Sequence, residues 1–163
     1  MSIKDGILAE LNHETNNTKR VLNNLTQEHW DYTPHPKSMT LGQLATHVVE
    51  LHTWLSVALD NDSFNFHTDY KPLAVTNLEE LKTTLDQYLQ QNIDFVNAKD
   101  ESEWFKEWTL KAGDHEISRL PKLAALRYIL NNHLIHHRGQ LTVYMRLLDL
   151  PLPGIYGPSA DEK

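Results

Sequence analysis

Residues 131–140 read NNHLIHHRGQ and place three histidines within five positions. His133 and His137 are four residues apart, a spacing that puts two side chains on the same face of an α-helix, one turn apart. His136 lies about 60° from His133 around the helix axis, in the direction opposite to His137. The spacing therefore predicts that His133 and His137 converge on one ligand and that His136 faces away.

His133 and His137 lie within a stripe of apolar residues at helical spacing, so their side chains are predicted to point into the protein. An unpaired buried nitrogen costs about 1–3 kcal/mol. A metal ion is an efficient partner, because a neutral imidazole offers it one lone pair and keeps one N–H for a second partner. A pair of hydrogen-bonded core histidines remains an open alternative. The apolar residues of the stripe are Leu126, Leu130, Leu141, Tyr144 and Leu148.

The strongest candidate for a third metal ligand is His47. It occupies a position in another apolar stripe where an aliphatic residue would be usual. Three neutral histidines bind a divalent ion and leave positions open, at which the ion could activate water or a substrate thiol. The other residues of this second stripe are Leu44, Leu51, Trp54 and Ala58.

Four further positions near these histidines have other predicted roles. His52 is on the other side of its helix and is predicted to be exposed. Glu50 could orient His47 or lie in solvent. Arg138 is predicted to pair with an acidic surface residue or a partner subunit, and Gly139 to allow close helix contact, since glycine costs a helix about 1 kcal/mol relative to alanine.

Helical periodicity predicts four helices that would position these residues. Thr40 with Gln43, and the TNLE sequence that begins at Thr76, have the pattern of capping boxes. Residues 61–75 are predicted to form a loop, and residues 100–121 an irregular or hairpin crossover. The pattern favours an all-α fold, a four-helix bundle with two long connections. The predicted helices cover residues 3–25, 41–60, 76–98 and 121–150, with Pro121 as the first residue of the last helix.

Composition narrows the class of protein. The chain of 163 residues is predicted to form one domain, and its net charge of −7 gives no basic surface for nucleic acid or an anionic membrane. There is no cysteine, which excludes disulfides and thiolate metal sites. The sequence shows no signal peptide, no apolar run of membrane-spanning length, no G-x-S-x-G motif and no phosphate-binding loop. A cytoplasmic protein is the expectation.

Three segments of the chain resemble the DinB-like family of damage-inducible, four-helix metalloproteins. They are DYTPHPKSMTLG, MTLGQLATHVVELHTW and NNHLIHHRGQLTVYMRLLDLPLPGIYGPSADE. The resemblance implies a single DinB-like domain over residues 1–163 with up-down-down-up topology, commonly as a homodimer. It also implies that His47, His133 and His137 are the ligands of one divalent metal ion, which is zinc, nickel or iron depending on the member.

The resemblance also implies an activity. Relatives are similar to metal-dependent S-transferases that join a low-molecular-weight thiol (bacillithiol, mycothiol or glutathione) to an electrophilic substrate. Two alternatives stay open: a metal-dependent hydrolase, and a non-catalytic stress-response module with a structural metal.

Overall fold

A computed structural model describes residues 2–162 as four long helices and a small sheet of three strands. The helices are α1 (Ile3–Asn23), α2 (Leu41–Ala58), α3 (Leu78–Ala98) and α4 (residues 122–147). The strands are β1 (Ser63–Asn65), β2 (Glu107–Ala112) and β3 (His115–Pro121). Short 3₁₀ turns at Gln27–His29 and Glu101–Phe105 lie in two of the connections.

The helix starts follow local capping chemistry. Thr40 precedes α2, where its hydroxyl accepts from the Gln43 amide and the Gln43 side chain accepts from the Thr40 amide, as the capping-box pattern predicts. Ser2 and Asp5 form the same arrangement at α1. The predicted cap of α3 is one residue early, because Asn77, not Thr76, is the N-cap, and the helix itself begins at Leu78.

The helix α4 is not regular along its length. It begins as Lys122–Ala125, passes through a π-helical turn at Leu126–Asn131, and continues as Asn132–Leu147. Pro121 precedes it as the N-cap and as the last residue of β3, so the prediction that Pro121 is the first helical residue is wrong by one position. The π-helical turn comes directly before the segment that carries His133.

The three-stranded sheet contradicts the predicted all-α fold. β2 and β3 form an antiparallel hairpin, as one form of the predicted crossover, with Gly113 at positive φ in the turn. β1 pairs in parallel with β2 and comes from residues predicted to be a loop. A three-residue strand is too short to show alternating hydrophobicity, so its pairing with a distant strand could not be read from local pattern. The protein is mostly helical, with a mixed sheet added to the four helices.

The sheet is attached to the C-terminal end of α2. The fully buried Trp108 of β2 donates its indole N–H to the backbone oxygen of Ala58 at 2.9 Å. Phe64 of β1 is also buried and packs against Trp54 of α2. The sheet therefore stabilises the C-terminal half of the helix that carries His47.

The apolar face of α2 lies at the centre of the core, and α2 packs against both α3 and α4. This packing brings the histidine of α2 against those of α4. Within residues 2–162, no helix combines the length and apolarity that a membrane span requires. The buried residues along α2 are Leu41, Leu44, Ala45, Val48, Val49, Leu51, Trp54, Leu55 and Ala58.

Candidate metal centre

His47 of α2 meets His133 and His137 of α4 in a single cluster. One ring nitrogen from each lies within 4.8 Å of the other two. The ring centroids are 5.2 Å apart for His47 and His133, and 4.6 Å apart for the other two pairs. The fold thus brings together the three histidines predicted from the sequence, although His47 is more than eighty positions from His133 and His137 along the chain.

His47 is held in one orientation by Glu50. Its Nδ1 lies 3.0 Å from Glu50 Oε2, and because an ionised carboxylate only accepts, the hydrogen is on Nδ1. In the neutral form of the ring, the lone pair is then on Nε2. Glu50 is 5% exposed, so of the two predicted roles for this residue the orienting one is confirmed.

The carboxylate of Glu50 has further donors from the loop after β1. The Leu73 amide donates to Oε1 at 2.8 Å, and the Tyr70 hydroxyl lies 3.1 Å from both oxygens. Burial by itself would raise the pKa of Glu50, but the hydrogen bonds from His47, Leu73 and Tyr70 outweigh it and lower the pKa. Glu50 is thus an anion that ties a loop to the histidine cluster.

Tyr70 and Leu73 had no signal in the sequence, because both belong to a segment without periodicity. Gln140 did have a signal in the sequence, because it lies three positions after His137, a spacing that places the two side chains near each other on a helix. Its Oε1 accepts from His137 Nδ1 at 2.7 Å. The hydrogen on Nδ1 again leaves the lone pair on Nε2.

Two of the imidazoles are electrically neutral at neutral pH. Burial, followed by the proximity of His137 and His47, lowers the pKa of His133 to about 4. Burial also lowers the pKa of His137, against the opposing effect of its hydrogen bond to Gln140. Neutral imidazoles are the form that binds metals, so His133 and His137 are in their ligating form without any prior loss of protons.

The donor set therefore fits a divalent metal ion. It consists of three imidazole nitrogens, and the rings of His47 and His137 are fixed by hydrogen bonds on the opposite ring nitrogen, as metal-bound histidines usually are. His136 is exposed and lies outside the cluster, although its ring packs on that of His137 at 4.9 Å. The prediction that His136 faces away from the pair is confirmed.

An open cleft of about 580 Å³ reaches the cluster from the side of His47. One wall is the N-terminal half of α2, and the opposite wall includes Tyr70 and Leu73. Trp30 forms one end and packs directly on the α2 backbone, where a Cβ on Gly42 would lie only 2.4 Å from the indole. A small molecule can thus approach the histidine cluster from solvent.

A second group of buried polar side chains lies between α1 and the helices α2 and α4, and it contradicts two predictions. His52, predicted to be exposed, is 5% exposed and lies between helices, with Nε2 2.9 Å from the Thr18 hydroxyl and Nδ1 3.4 Å from that of Thr15. Arg138 forms a buried ion pair with Glu14 of α1, not a surface or intersubunit pair. Both predictions were wrong because the side of α2 that carries His52 and the side of α4 that carries Arg138 pack against α1.

Gly139 also differs from its prediction. Apart from the glycine, its two neighbours and the adjacent backbone of its own helix, no heavy atom of residues 2–162 lies within 4 Å of a Cβ built here. Close helix contact within the chain therefore does not explain it.

The fold and the cluster together define a mostly helical protein with a three-histidine group suited to a metal ion. The sequence profile of the DinB family matches residues 1–163, and the chain belongs to that family. The prediction of a DinB-like protein is confirmed.

Two Bacillus subtilis proteins are similar in sequence. YrdA is 30% identical over 158 residues, which cover 97% of this chain and 90% of YrdA. YjoA is 26% identical over 148 residues, which cover 86% of this chain and 87% of YjoA.

Two crystal structures of DinB-like proteins share the fold. One, from Bacillus cereus ATCC 10987, has a TM-score of 0.72 at 23% identity, and the match covers 93% of this chain and 97% of that one. The other, YjoA from B. subtilis, has a TM-score of 0.70 at 19% identity, covering 94% and 99% of the two chains.

Proposed function

We propose that the protein is a metal-dependent enzyme in which His47, His133 and His137 hold one divalent ion, and which transfers a low-molecular-weight thiol to an electrophile. The observation that supports this proposal is the meeting of three imidazoles, two of them oriented by hydrogen bonds, beside an open cleft. Structural zinc sites are usually closed by four protein ligands, whereas catalytic sites have three and keep a position open. Zinc, nickel and iron all accept imidazole ligands, so each is a candidate for the ion.

A divalent ion in the cluster would supply one chemical effect: it lowers the pKa of a thiol or water molecule that reaches it. The protein's own groups orient the ligands. Glu50 keeps the hydrogen of His47 on Nδ1, and Gln140 does the same for His137. In the transfer, sulfur forms a bond to the electrophilic carbon, the leaving group departs with the electron pair of its broken bond, and the thiol proton passes to solvent.

The first test is the metal content of protein purified without an affinity tag. We expect about one equivalent of a divalent metal per chain, and less than about a tenth of an equivalent after metal supplementation would contradict the site. The matched pair of variants is H133A and H136A, since both remove an imidazole from the same helix. H133A should lose the metal and H136A should keep it; equal losses would show that the wrong histidines were chosen.

The second test is turnover. Metal-replete protein is supplied with thiols and electrophilic substrates, and loss of free thiol and formation of the conjugate are measured. His47→Ala is the control, and conjugate formation equal to that of the wild type in this variant would contradict a reaction at the cluster.

The same three-histidine set supports a second enzymatic proposal, a hydrolase in which the ion activates water. A third proposal is a structural ion, which the position of the ligands on two different helices favours. If ester or amide substrates are cleaved without any thiol, the hydrolase proposal is supported. If metal removal lowers thermal stability while no substrate is turned over, the structural proposal is supported.

A further inference from the structure

The cleft beside His47 is lined by two carboxylates and, within residues 2–162, by no lysine or arginine. The carboxylate of Glu50 is already engaged by His47, Tyr70 and Leu73. That of Asp31 makes no hydrogen bond or ion pair to any residue in the same described range, and it is exposed at the edge of the cleft. Asp31 therefore contributes a negative charge there that no lysine or arginine side chain of the described residues pairs with.

No lysine or arginine of residues 2–162 lines the cleft to offset this charge. Lys71 is in the same loop as Tyr70, but it lines the adjacent cavity instead. The side chains of Trp30 and Tyr70 add aromatic surface, which attracts cations through the negative face of the ring. The charge and the aromatic surface thus both favour a positively charged ligand.

We infer that the cleft selects thiols whose remaining part is cationic or neutral, and that Asp31 is the residue that sets this preference. The inference rests on the proposed function, because it assumes that the sulfur is directed to the histidine cluster. A thiol with a carboxylate, such as glutathione, would bring a second anion beside Asp31 with no basic residue to pair with it. A quaternary or protonated amine would instead meet a carboxylate and aromatic rings.

The size of the effect follows from exposure. Asp31 is in contact with solvent, where ion pairs are weak, so we expect its charge to change affinity by about two- to five-fold. Such a contribution should also shrink as ionic strength rises. The preference is therefore a graded one.

The experiment uses full-length protein loaded with Co²⁺, whose visible absorption changes when sulfur binds. Three probes are titrated: thiocholine, its uncharged isostere in which carbon replaces the quaternary nitrogen, and mercaptopropionate as the anion. The quantity compared is the ratio of dissociation constants within one protein, and then between proteins, so that intrinsic differences between the thiols cancel. The variants are Asp31→Asn and, as control, Asp114→Asn, an exposed aspartate in the β2–β3 turn that does not line the cleft.

We expect Asp31→Asn to reduce the preference for thiocholine over its isostere by two- to five-fold, to strengthen mercaptopropionate binding, and to leave Co²⁺ affinity unchanged. Asp114→Asn should change neither ratio. The inference is overturned if thiols bind but Asp31→Asn leaves the ratios unchanged, or if Asp114→Asn changes them equally. If Co²⁺ binds and no thiol alters its spectrum, the proposed thiol chemistry is contradicted as well. This result differs from the one in which thiols bind but Asp31→Asn has no effect, where only the inference about Asp31 fails.

Discussion

Glu50 connects the candidate metal ligand His47 to the loop after β1. Its carboxylate accepts from one metal-ligand candidate and from two groups of the loop after β1. Partners of this kind fix the tautomer and raise the basicity of a histidine that binds a metal. At the residue scale, the tautomer and orientation of His47 therefore depend on a side chain that is not itself a proposed ligand.

Replacing Glu50 with glutamine should weaken metal binding by about 10–100-fold, because the amide is a poorer acceptor for the Nδ1–H of His47. Metal affinity is measured by competition with a chromogenic chelator. Glu79→Gln is the matched control, since Glu79 is an exposed residue of α3 outside the cluster. Equal affinities in wild type and Glu50→Gln would contradict the orienting role.

At the scale of elements, buried polar groups join helices at a place where periodicity predicts only apolar contact. His52 connects α2 to Thr15 and Thr18 of α1, and Arg138 connects α4 to Glu14. The Thr18 hydroxyl donates to the Glu14 carbonyl, so it accepts from His52 Nε2–H. These groups fix how the helices sit against one another.

The free energy of unfolding should decrease as the pH is lowered, because of His52. Burial, then the proximity of Arg138 and Lys19, lowers the pKa of His52 from 6.5 to about 3. Since the folded pKa is below the unfolded one, the unfolded chain binds the extra proton between these values. The contribution is thus fully present above about pH 6.5 and is lost at about 1.4 kcal/mol per pH unit down to about pH 3.

The measurement is the free energy of unfolding from denaturant titrations across that pH range, in wild type and His52→Gln. The variant cannot titrate at this position, so its stability should fall less steeply as pH decreases. Parallel pH profiles for the two proteins would show that His52 does not contribute in this way.

Breaking the Arg138–Glu14 pair should be costly. Arg138→Met leaves a buried carboxylate without its cation, and we expect a loss of about 3–5 kcal/mol in the free energy of unfolding. The double variant with Glu14→Met removes that charge as well and should be more stable than the single variant. A double variant as unstable as Arg138→Met alone would show that the unpaired charge is not the main cost.

At the scale of the whole molecule, the proposed ion would link two helices that are distant in the chain. Residues 41–58 and 122–147 are joined through their histidines only when both are folded. An ion that binds the native arrangement and not the unfolded chain stabilises the fold by mass action. Metal binding and folding should therefore be coupled.

Adding metal at about 100 times its dissociation constant should raise the free energy of unfolding by about 2.7 kcal/mol. The thermal midpoint is followed by circular dichroism with added metal and with chelator. His133→Ala should show no such difference, and His136→Ala should behave like wild type. An equal metal response in His133→Ala would place the stabilising ion elsewhere.

The histidine cluster could be predicted from the sequence because helical spacing is a local property. The four-residue interval puts His133 and His137 on one face, and the apolar stripe around His47 indicates burial before any contact is known. The capping pattern at Thr40 likewise fixed the start of α2. Four helices and the set of three histidines follow from such local rules.

Only the tertiary structure decided the contacts between segments. The pairing of Phe64 with the strand that carries Trp108, the bonds from Tyr70 and Leu73 to Glu50, and the burial of His52 all join residues far apart in the chain. A short strand has no periodicity from which it could be predicted. A helix face with polar or charged residues is predicted to be exposed, and this prediction is wrong where those residues have partners on another helix. Contacts between distant segments therefore determined the mixed fold, the hydrogen bonds that support the histidine cluster and the cleft beside it.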